Sequence, residues 1–377
     1  MKKPVGTLPR GLPTDPILAL RARELLASAQ QLQEQGKIAD AARLSAQLVN
    51  VAPDLAEGHQ LMGNLAMRTG ATEIATVSFG RALALKPRSA DLHIALAQAL
   101  LAAKKPQAAA ELLEKGRKLH PNNAGIFREL GQAQLDLGQP AAALKSFSRA
   151  TKLSPSDLYS SHMLAALSQD GAPDTAYVAE LFDSYADTFD AHLTGTLDYQ
   201  VPQALAGLVA KHGPARAPTL DVGCGTGLMG AALPETHRPL DGIDIAPKMI
   251  TKAGERGIYR HLAAGDALAV LQSDGNFAGP YGMIVATDVF IYIGDIARLF
   301  AALVSRLQPA GLLAFSVESH DGEGLAIRSS GRFAHAGAYV HDLAKANGLT
   351  PLEEQAHPIR LERNTPIPGT LFVFRQD

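Results

Sequence analysis

The sequence predicts a two-part chain, an all-α solenoid followed by an α/β domain on a mostly parallel sheet. Three observations predict it. Residue types recur every 34 positions through the first half, as at Pro53, Pro87, Pro121 and Pro155. Beyond Pro218, short aliphatic runs alternate with helical stretches. One such run leads straight into a glycine-rich loop.

A chain of 377 residues can bury two or three separate cores. Its net charge of −2 gives no general attraction to nucleic acid or to an acidic membrane surface. The single cysteine, Cys224, excludes a disulfide framework and a cysteine zinc site, and fits a reducing compartment. The sequence has no apolar run long enough to span a bilayer. Residues 1–19 read as a flexible lead-in without the apolar segment of a secretory signal, so a cytoplasmic location is expected.

From about Leu20 to Pro155 the texture is helical, rich in Ala, Leu, Gln and Lys. The 34-residue step that spaces the prolines also spaces Ala41, Ala75, Ala109 and Ala143. Small residues keep it at Gly63, Ala97 and Gly131, and large ones at Met62, Leu96 and Leu130 and at Phe79, Leu113 and Phe147. Gly36, Gly70 and Gly138 fall where two helices of a pair must turn; the turn after Lys104 and Lys105 has Pro106 instead. Small residues let helices approach closely, large ones fill the gap between successive pairs, and proline ends each second helix. Four units cover roughly residues 22 to 155. The first, with Ser45 where the others carry Phe or Leu, is the least regular, as a capping unit can be. A helix over Asp157–Gln169 closes the other end. The helical domain thus spans residues 20–170, and Gly171, Ala172 and Pro173 mark the boundary to a second domain at 171–377.

This period with these residue types resembles the tetratricopeptide repeat (TPR) family. The resemblance implies a concave face for a protein or peptide partner, with Gln60, Asn64, Gln98, Arg128 and Gln132 among its inner positions. A lysine cluster of the carboxylate-clamp kind is missing from those positions.

In the second domain, strand-like runs at Thr219–Val222, Leu240–Ile245, Arg260–Ala263, Met283–Val289 and Leu312–Val317 alternate with helical patterns. The helical patterns are Ala246–Arg256, Ala267–Ser273, Ile296–Leu307 and Ala338–Ala346. Leu352–Arg363 and Thr370–Arg375 follow each other with no helix between, and predict an antiparallel hairpin turning at Pro366–Gly369.

The strongest local signal is Thr219-Leu-Asp-Val-Gly-Cys-Gly-Thr-Gly227, a strand running into G-x-G-x-G and a helix. Glycine permits positive φ and removes the Cβ, so a ligand can lie against the backbone, and a helix N-terminus offers amides to an anionic group. A second strand ends in Asp244, 17 residues after Gly227, where a carboxylate can accept two ribose hydroxyls. Gly265-Asp266-Ala267 follows the third strand, and Asp266 can accept from an adenine amino group. Tyr281 to Tyr292 reads as a buried strand delivering Asp288 and Tyr292 at its C-terminal end, the edge where ligands sit in open α/β sheets. The residues alone indicate a nucleoside-bearing ligand.

In order and spacing, the acid–glycine loop, the Asp244 strand, the Gly265-Asp266 turn and the segment Leu307–Glu318 resemble the class I S-adenosylmethionine (SAM)-dependent methyltransferases. The resemblance covers about Tyr177 to the C-terminus, and the ubiquinone/menaquinone-type and trans-aconitate-type enzymes look closest. The whole layout is similar to bacterial methyltransferases carrying TPR repeats. It implies a Rossmann-like seven-stranded sheet with a reversed last strand, SAM as cofactor and methyl transfer to an unidentified small-molecule, carrier-bound or protein acceptor. On that resemblance, Asp221, Gly223, Gly225 and Gly227 hold the methionine end and Asp244 the ribose. Ile245 and Met249 flank adenine, Asp266 and Ala267 read its edge, and Asp288 lies near the methionine amine and the methyl group. The segment Phe182–Asp190 resembles the lid helix of small-molecule members. Within it Tyr185 and Phe189 either close over the cofactor or pack in the core.

His335 is the first candidate for a general base, followed by Tyr292 and Asp288. Tyr292, Glu318, Arg332, His335 and Tyr339 are candidates to touch the acceptor, in or near the polar segment Ser329–Val340. Asp183, Asp187 and Asp190 read as a solvated stripe, Asp241 as solvated, and Cys224 as a small loop residue. No metal site is expected from the spacing of the twelve histidines. Residues 288–292 lack the Asn-Pro-Pro-Tyr of amino-methylating nucleic-acid enzymes, so no nucleic-acid substrate is expected. Two other readings stay open. Gly225-x-Gly227-x-x-Gly230 also fits a dinucleotide fingerprint, and hence an NAD(P) oxidoreductase. The chain could also be an interaction module with an inactive methyltransferase-like domain.

Overall fold

A computed structural model describes residues 11–168, 175–191, 199–212, 217–328, 330–362 and 365–377. The expected boundary at Gly171–Pro173 and residues 1–10 of the lead-in lie outside them. The chain divides into two compact units, Met1–Ser160 and Ser161–Asp377.

In the first unit eight helices alternate with short turns: α1 (Pro16–Glu34), α2 (Ile38–Val51), α3 (Ala56–Arg68), α4 (Thr72–Leu85), α5 (Ala90–Ala102), α6 (Pro106–Leu119), α7 (Ala124–Asp136) and α8 (Pro140–Leu153). Each repeated proline stands two residues past the end of α2, α4, α6 or α8, where a missing N–H is harmless. Gly36, Gly70 and Gly138 take φ of 75°, 73° and 69° in the intra-pair turns. Lys104 occupies the equivalent position with φ 56°, so the left-handed residue is kept there without glycine, while Pro106 opens α6. The large residues pack both between pairs, as expected, and within them: Phe79 shares a core cluster with Leu92 and Ala99 of α5, and Leu113 one with Ile126 and Leu130 of α7. A Cβ on Gly63 would meet the Phe79 ring at 2.6 Å, and one on Gly131 the Phe147 ring at 2.9 Å. Each phenylalanine therefore packs within its own pair on the glycine; in the third unit Ala97 and Leu113 share one core cluster. Side chains on α5 and α7 also join. Gln98 donates to Glu129 (2.9 Å), Arg128 pairs with Glu129 (3.2 Å), and Tyr159 donates to Gln132.

Helix α9 (Leu158–Leu167) straddles the division between the units. The second unit continues with α10 (Thr175–Tyr185), α11 (Phe189–Ala191) and α12 (Val201–His212). Then come β1 (Thr219–Val222), α13 (Leu228–Ala232), β2 (Leu240–Asp244), α14 (Pro247–Glu255), β3 (His261–Ala264), α15 (Ala267–Ser273), β4 (Tyr281–Ala286), α16 (Ala297–Val304) and β5 (Leu307–Ser319). The chain ends with β6 (Leu325–Ile327), β7 (Phe333–His335), α17 (Gly337–Ala346), β8 (Leu349–Ala356), β9 (Leu361–Glu362), β10 (Thr365–Pro366) and β11 (Gly369–Gln376). The main sheet runs β3-β2-β1-β4-β5-β11-β8, with β1 to β5 parallel and β11 antiparallel to both neighbours. The seven strands and the reversed last one are as expected. A short annex, β7 beside the end of β5 with β6 against it, was not.

Every residue of β1, β2 and β4 is buried because helices cover both faces. Alternation sorts their side chains. Ile284, Leu313, Phe315 and Phe372 join one core layer, and Met283, Val285, Leu312 and Leu371 the other. The terminal hairpin differs from the reading Leu352–Arg363. The strand stops at Ala356, because Pro358 cannot donate to a ladder, and the chain leaves the sheet as an irregular segment carrying Ile359 and Arg360. A Cβ on Gly369 would collide with Ile359, so glycine is what lets this segment fold down beside β11.

Candidate active site

The chain order around β1 reverses between β2 and β4, so their carboxyl ends splay and leave a crevice. The loop after β1 enters it. Gly223, Gly225 and Gly227 have φ of 64°, 55° and 90°, a run that side chains disfavour. The Cys224 amide donates to the Ile243 carbonyl (3.0 Å) and the Gly225 amide to Asp244 Oδ2 (2.8 Å), which ties the loop to β2. Asp244 Oδ1 accepts from the Ala246 amide (2.8 Å). Two backbone donors thus fix this carboxylate, and burial still pushes its pKa up to about 6. A Cβ on Gly225 would have only the Phe189 ring near it, at 3.8 Å, so the backbone there is bare.

A cavity of about 440 Å³ opens along this edge, within the range of small-molecule sites. Gly223, Cys224, Gly225, Asp244, Ile245, Asp266 and Ala267 line one side of it. Phe182, Tyr185 and Phe189 come from α10 and α11, and Phe182 meets Phe189 and Tyr292 edge-on at 5.9 and 5.3 Å. Asp183 accepts the Lys248 amide (2.9 Å) at the start of α14, Lys252 reaches Asp187 (3.5 Å), and Asp190 pairs with Arg256 (2.6 Å) and with Thr226 of the loop.

Beyond β4 the wall becomes ionic. Asp288 has φ 56°, a strained value for a residue other than glycine, with its amide on Ser316 Oγ (2.9 Å) and its Oδ1 accepting from that hydroxyl (3.2 Å). Arg360 Nη1 lies 3.5 Å from Asp288, and Arg360 Nη2 donates to Glu318. Glu318, 1% exposed, also faces Arg332 (3.2 Å) and Arg328 (3.7 Å). Burial raises Asp288 to about 6, with Arg360 pulling the other way.

A family model for methyltransferase domains matches residues 220–313, and one for tetratricopeptide repeats matches residues 61–124 and 94–158. The chain carries tetratricopeptide repeats followed by a methyltransferase domain. Over 151 residues it is 32% identical to the biotin biosynthesis bifunctional protein BioCD of Bordetella avium, covering 38% of this chain and 30% of that one. Over 139 residues it is 27% identical to malonyl-[acyl-carrier protein] O-methyltransferase of Serratia marcescens, covering 37% and 51%. The chain thus matches about half or less of the length of these curated relatives. Among solved structures, magnesium protoporphyrin IX methyltransferase of Synechocystis PCC 6803 with bound SAH is 18% identical, with a TM-score of 0.41, over 54% of this chain and 99% of that one.

Within the methyltransferase domain, four residues expected at the site stand outside the cavity wall. Asp221 is fully buried beneath the loop, where its Oδ2 accepts from the Tyr259 hydroxyl (2.7 Å) and burial raises its pKa to about 7. Gly227 caps α13, only five residues long. Met249 packs with Ala186 and Ala246 under Ile245. His335 is fully buried on β7, its Nε2 donates to the Gly294 carbonyl (3.0 Å) and burial lowers its pKa. Tyr339, also considered, is held by Asp295 (2.8 Å). Glu318, another candidate, is not part of the cavity wall; the remaining expected residues, including Tyr185, Asp288, Tyr292 and Arg332, line the cavity. Asp266 spends one oxygen capping α15 (2.9 Å to the Ala269 amide).

Of the aspartates read as solvated, Asp183 and Asp190 are tied to α14 and the loop, as above, whereas Asp187 stays exposed beside Lys252. Asp241 is fully buried, between Arg260 (2.6 Å), His261 (3.2 Å) and the Tyr281 hydroxyl (3.0 Å). Sequence reasoning missed Arg360, Tyr199 and His162. For Arg360 the signal was a lone cation in the apolar run Pro358-Ile-Arg-Leu361. Cys224 is buried and its thiol is held protonated by that burial, which fits the packing role. Among the described residues no helix is long and apolar enough to cross a membrane, and no cluster of ligands could hold a metal ion.

Proposed function

We propose that this chain is a SAM-dependent methyltransferase that transfers a methyl group to a small-molecule, carrier-bound or protein acceptor. The observation that carries the reading is Asp244. Its carboxylate, oriented by the Gly225 and Ala246 amides, lines the cavity beside bare glycine backbone. A buried carboxylate with a pKa raised to about 6 is stabilised by further donors, and two vicinal hydroxyls supply them. Room at Gly225 for more than a Cβ supports the fit of an adenosyl group, as does the acid pair Asp244 and Asp266 on adjacent strand ends.

SAM, when bound, supplies an electrophilic methyl group on a sulfonium sulfur. The chain supplies alignment and dryness. Gly223 and Gly225 offer unobstructed backbone, Asp244 clasps the ribose, and Phe182, Tyr185 and Phe189 screen the cavity from water. Burial raises the Tyr292 phenol, which therefore stays protonated and donates hydrogen bonds at neutral pH. Asp288, near 6, is ionised at neutral pH and is the lining group suited to take up the acceptor's proton. The helical repeats serve as a docking surface for a protein partner, a role suited to a scaffold, a protein substrate or an acyl carrier; one relative's name states a carrier-bound substrate. Cytoplasmic location is part of the same reading.

Calorimetric titration with SAM and with S-adenosylhomocysteine (SAH) tests it. Micromolar binding is expected, weakened about 100-fold by Asp244→Ala. Absence of heat with both ligands, or an unchanged Kd in the variant, removes the enzymatic reading.

A further inference from the structure

Past β4, two arginines of the cavity wall are held from behind by one acid. Arg360 Nη2 donates to Glu318, and its Nη1 lies 3.5 Å from Asp288 Oδ2. Arg332 Nε lies 3.2 Å from Glu318 Oε1, and the same side chain interacts with the Tyr292 phenol. Asp288, Tyr292, Arg332 and Arg360 all line the cavity; Glu318, 1% exposed near the end of β5, does not. Arg328, 3.7 Å from Glu318, gives its Nη2 to the Ser319 carbonyl (2.7 Å). The two lining guanidiniums are thus matched by Glu318 and Asp288, and the match is shared unequally.

A guanidinium that closes a bidentate pair with a carboxylate holds that carboxyl well below its ordinary range, where it is a poor base. Arg360 closes no such pair with Asp288. Its hydrogen bond goes to Glu318, and 3.5 Å is too long for a good one to Asp288. Asp288 Oδ1 takes the Ser316 hydroxyl instead (3.2 Å), and burial keeps its pKa near 6 against the pull of Arg360. The other groups acting on Asp288 are Arg332 just before β7, the Tyr199 phenol before α12 and the Tyr292 phenol after β4. Glu318 is therefore the competitor for the cation that would otherwise quench Asp288.

We propose that Glu318 is a positioning residue for methyl transfer: by drawing Arg360 to itself from behind the wall, it keeps the Asp288 carboxylate available to take the acceptor's proton. This rests on the reading of the cavity as a SAM-dependent methyltransferase site with Asp288 as its base. In that proton transfer the bond from the acceptor atom to hydrogen breaks and the proton joins an Asp288 oxygen. The bonding pair stays on the acceptor atom for its new bond to the methyl carbon. Glu318 acts only through Arg360, since it stands outside the cavity wall.

The test follows the Asp288 carboxyl carbon by NMR through a pH titration of the ligand-free full chain carrying isotope-labelled aspartate. Asp288→Asn, which tolerates the positive φ, identifies the signal by removing it. The parent should titrate near pH 6. Glu318→Gln should lower the midpoint by about one pH unit or more, because Arg360 turns to Asp288 and a neighbouring negative charge is lost. In an Arg360→Gln background the same change should move the midpoint by less than about half as much. The proposal is overturned by a midpoint that Glu318→Gln leaves in place or raises, and equally by a drop of the same size with and without Arg360. If the double variant does not fold, the single change decides. If Glu318→Gln does not reproduce the parent's circular dichroism, Arg332→Gln carries the test. Glu318 then leans harder on Arg360, and the Asp288 midpoint should rise by about half a pH unit; a midpoint unchanged or lowered overturns the proposal. Calorimetry with SAH on the same samples keeps the two readings apart. A parent that binds no SAH removes the methyltransferase reading, while the Asp288 titration still reports on Glu318.

Discussion

Asp190 reaches Arg256 at 2.6 Å, and through it the short helix α11 is tied to the chain just past α14. The same aspartate takes the Thr226 hydroxyl of the glycine loop, and Arg256 donates in turn to the Thr226 carbonyl. Lid and loop thus share one small network at the cavity mouth. Both partners of the ion pair are partly exposed, so it adds less than about 1 kcal/mol to stability. Its effect should be on ligand escape. Asp190→Ala is expected to raise the dissociation rate of SAH by about three- to ten-fold in stopped-flow measurements, with an unfolding free energy within about 1 kcal/mol of the parent. An unchanged dissociation rate would show that the lid contact is ornamental.

Gly223 and Gly225 are neighbours in one loop but answer to different neighbours. A Cβ at 223 runs into the Val289 side chain, whereas one at 225 meets nothing closer than Phe189 at 3.8 Å. Both have positive φ, which costs an alanine about 1 kcal/mol. Gly225→Ala should therefore fold with that modest loss and yet bind SAH at least about ten-fold more weakly, because the new methyl occupies the cradle. Gly223→Ala should lose about 2 kcal/mol or more from the added clash. Chemical denaturation of both variants beside SAH titration separates the two effects. Equal SAH affinity in parent and Gly225→Ala would place the ligand elsewhere.

The ribose role proposed for Asp244 would make cofactor binding sensitive to pH. Its carboxyl, ordinarily near 3.8, is raised to about 6 by burial. Below that pH the ligand-free protein holds the proton, and a protonated carboxyl cannot accept from two hydroxyls at once. Binding favours the ionised form, so affinity should be constant above about pH 7 and fall up to ten-fold per pH unit as the pH drops below 6. Titrations of SAH from pH 5 to 8 check this, with Asp244→Asn expected to give a weak and nearly flat profile. A flat parent profile would contradict it.

The readable parts of this chain were those carried by local patterns. The period of the prolines placed eight helices, and the loop from Val222 to Gly227 with Asp244 and Asp266 placed one side of the cavity. What stayed hidden depends on partners distant in sequence. Glu318 and Arg360 are 42 residues apart, and the packing of Ile359 against Gly369, with backbone bonds between Ile367 and the 359–360 segment, brings the arginine in. Asp241 was read as solvated because its partners arrive from β3 and β4. His335 looked like a base on chemistry alone, but β7 pairs with β5 and turns the imidazole to the Gly294 carbonyl. The aspartates of the lid have helical spacing that suggests an exposed face. Nothing local reveals that α14 and the loop lie under it.

The repeats themselves record a size rule that can be tested by exchange. Gly63 faces Phe79 and Gly131 faces Phe147, whereas Ala97 clusters with Leu113 at the same step. The extra methyl on one helix goes with a smaller side chain on its partner. Adding the methyl alone, as Gly63→Ala, forces a Cβ to within 2.6 Å of the Phe79 ring in a fully packed pair. Overpacking of this kind costs about 1 to 3 kcal/mol, set against a gain of up to about 1 kcal/mol from alanine's better helix propensity. The net expectation is a loss of about 1 kcal/mol or more. Phe79→Leu alone leaves a void over the glycine and should cost about 1 to 2 kcal/mol. Combined, the two changes recreate the arrangement of the third unit, so their costs should cancel in part, with a coupling energy of about 1 kcal/mol in a double-mutant cycle of urea unfolding. Additive losses would mean that the glycine is kept for another reason than room for the ring.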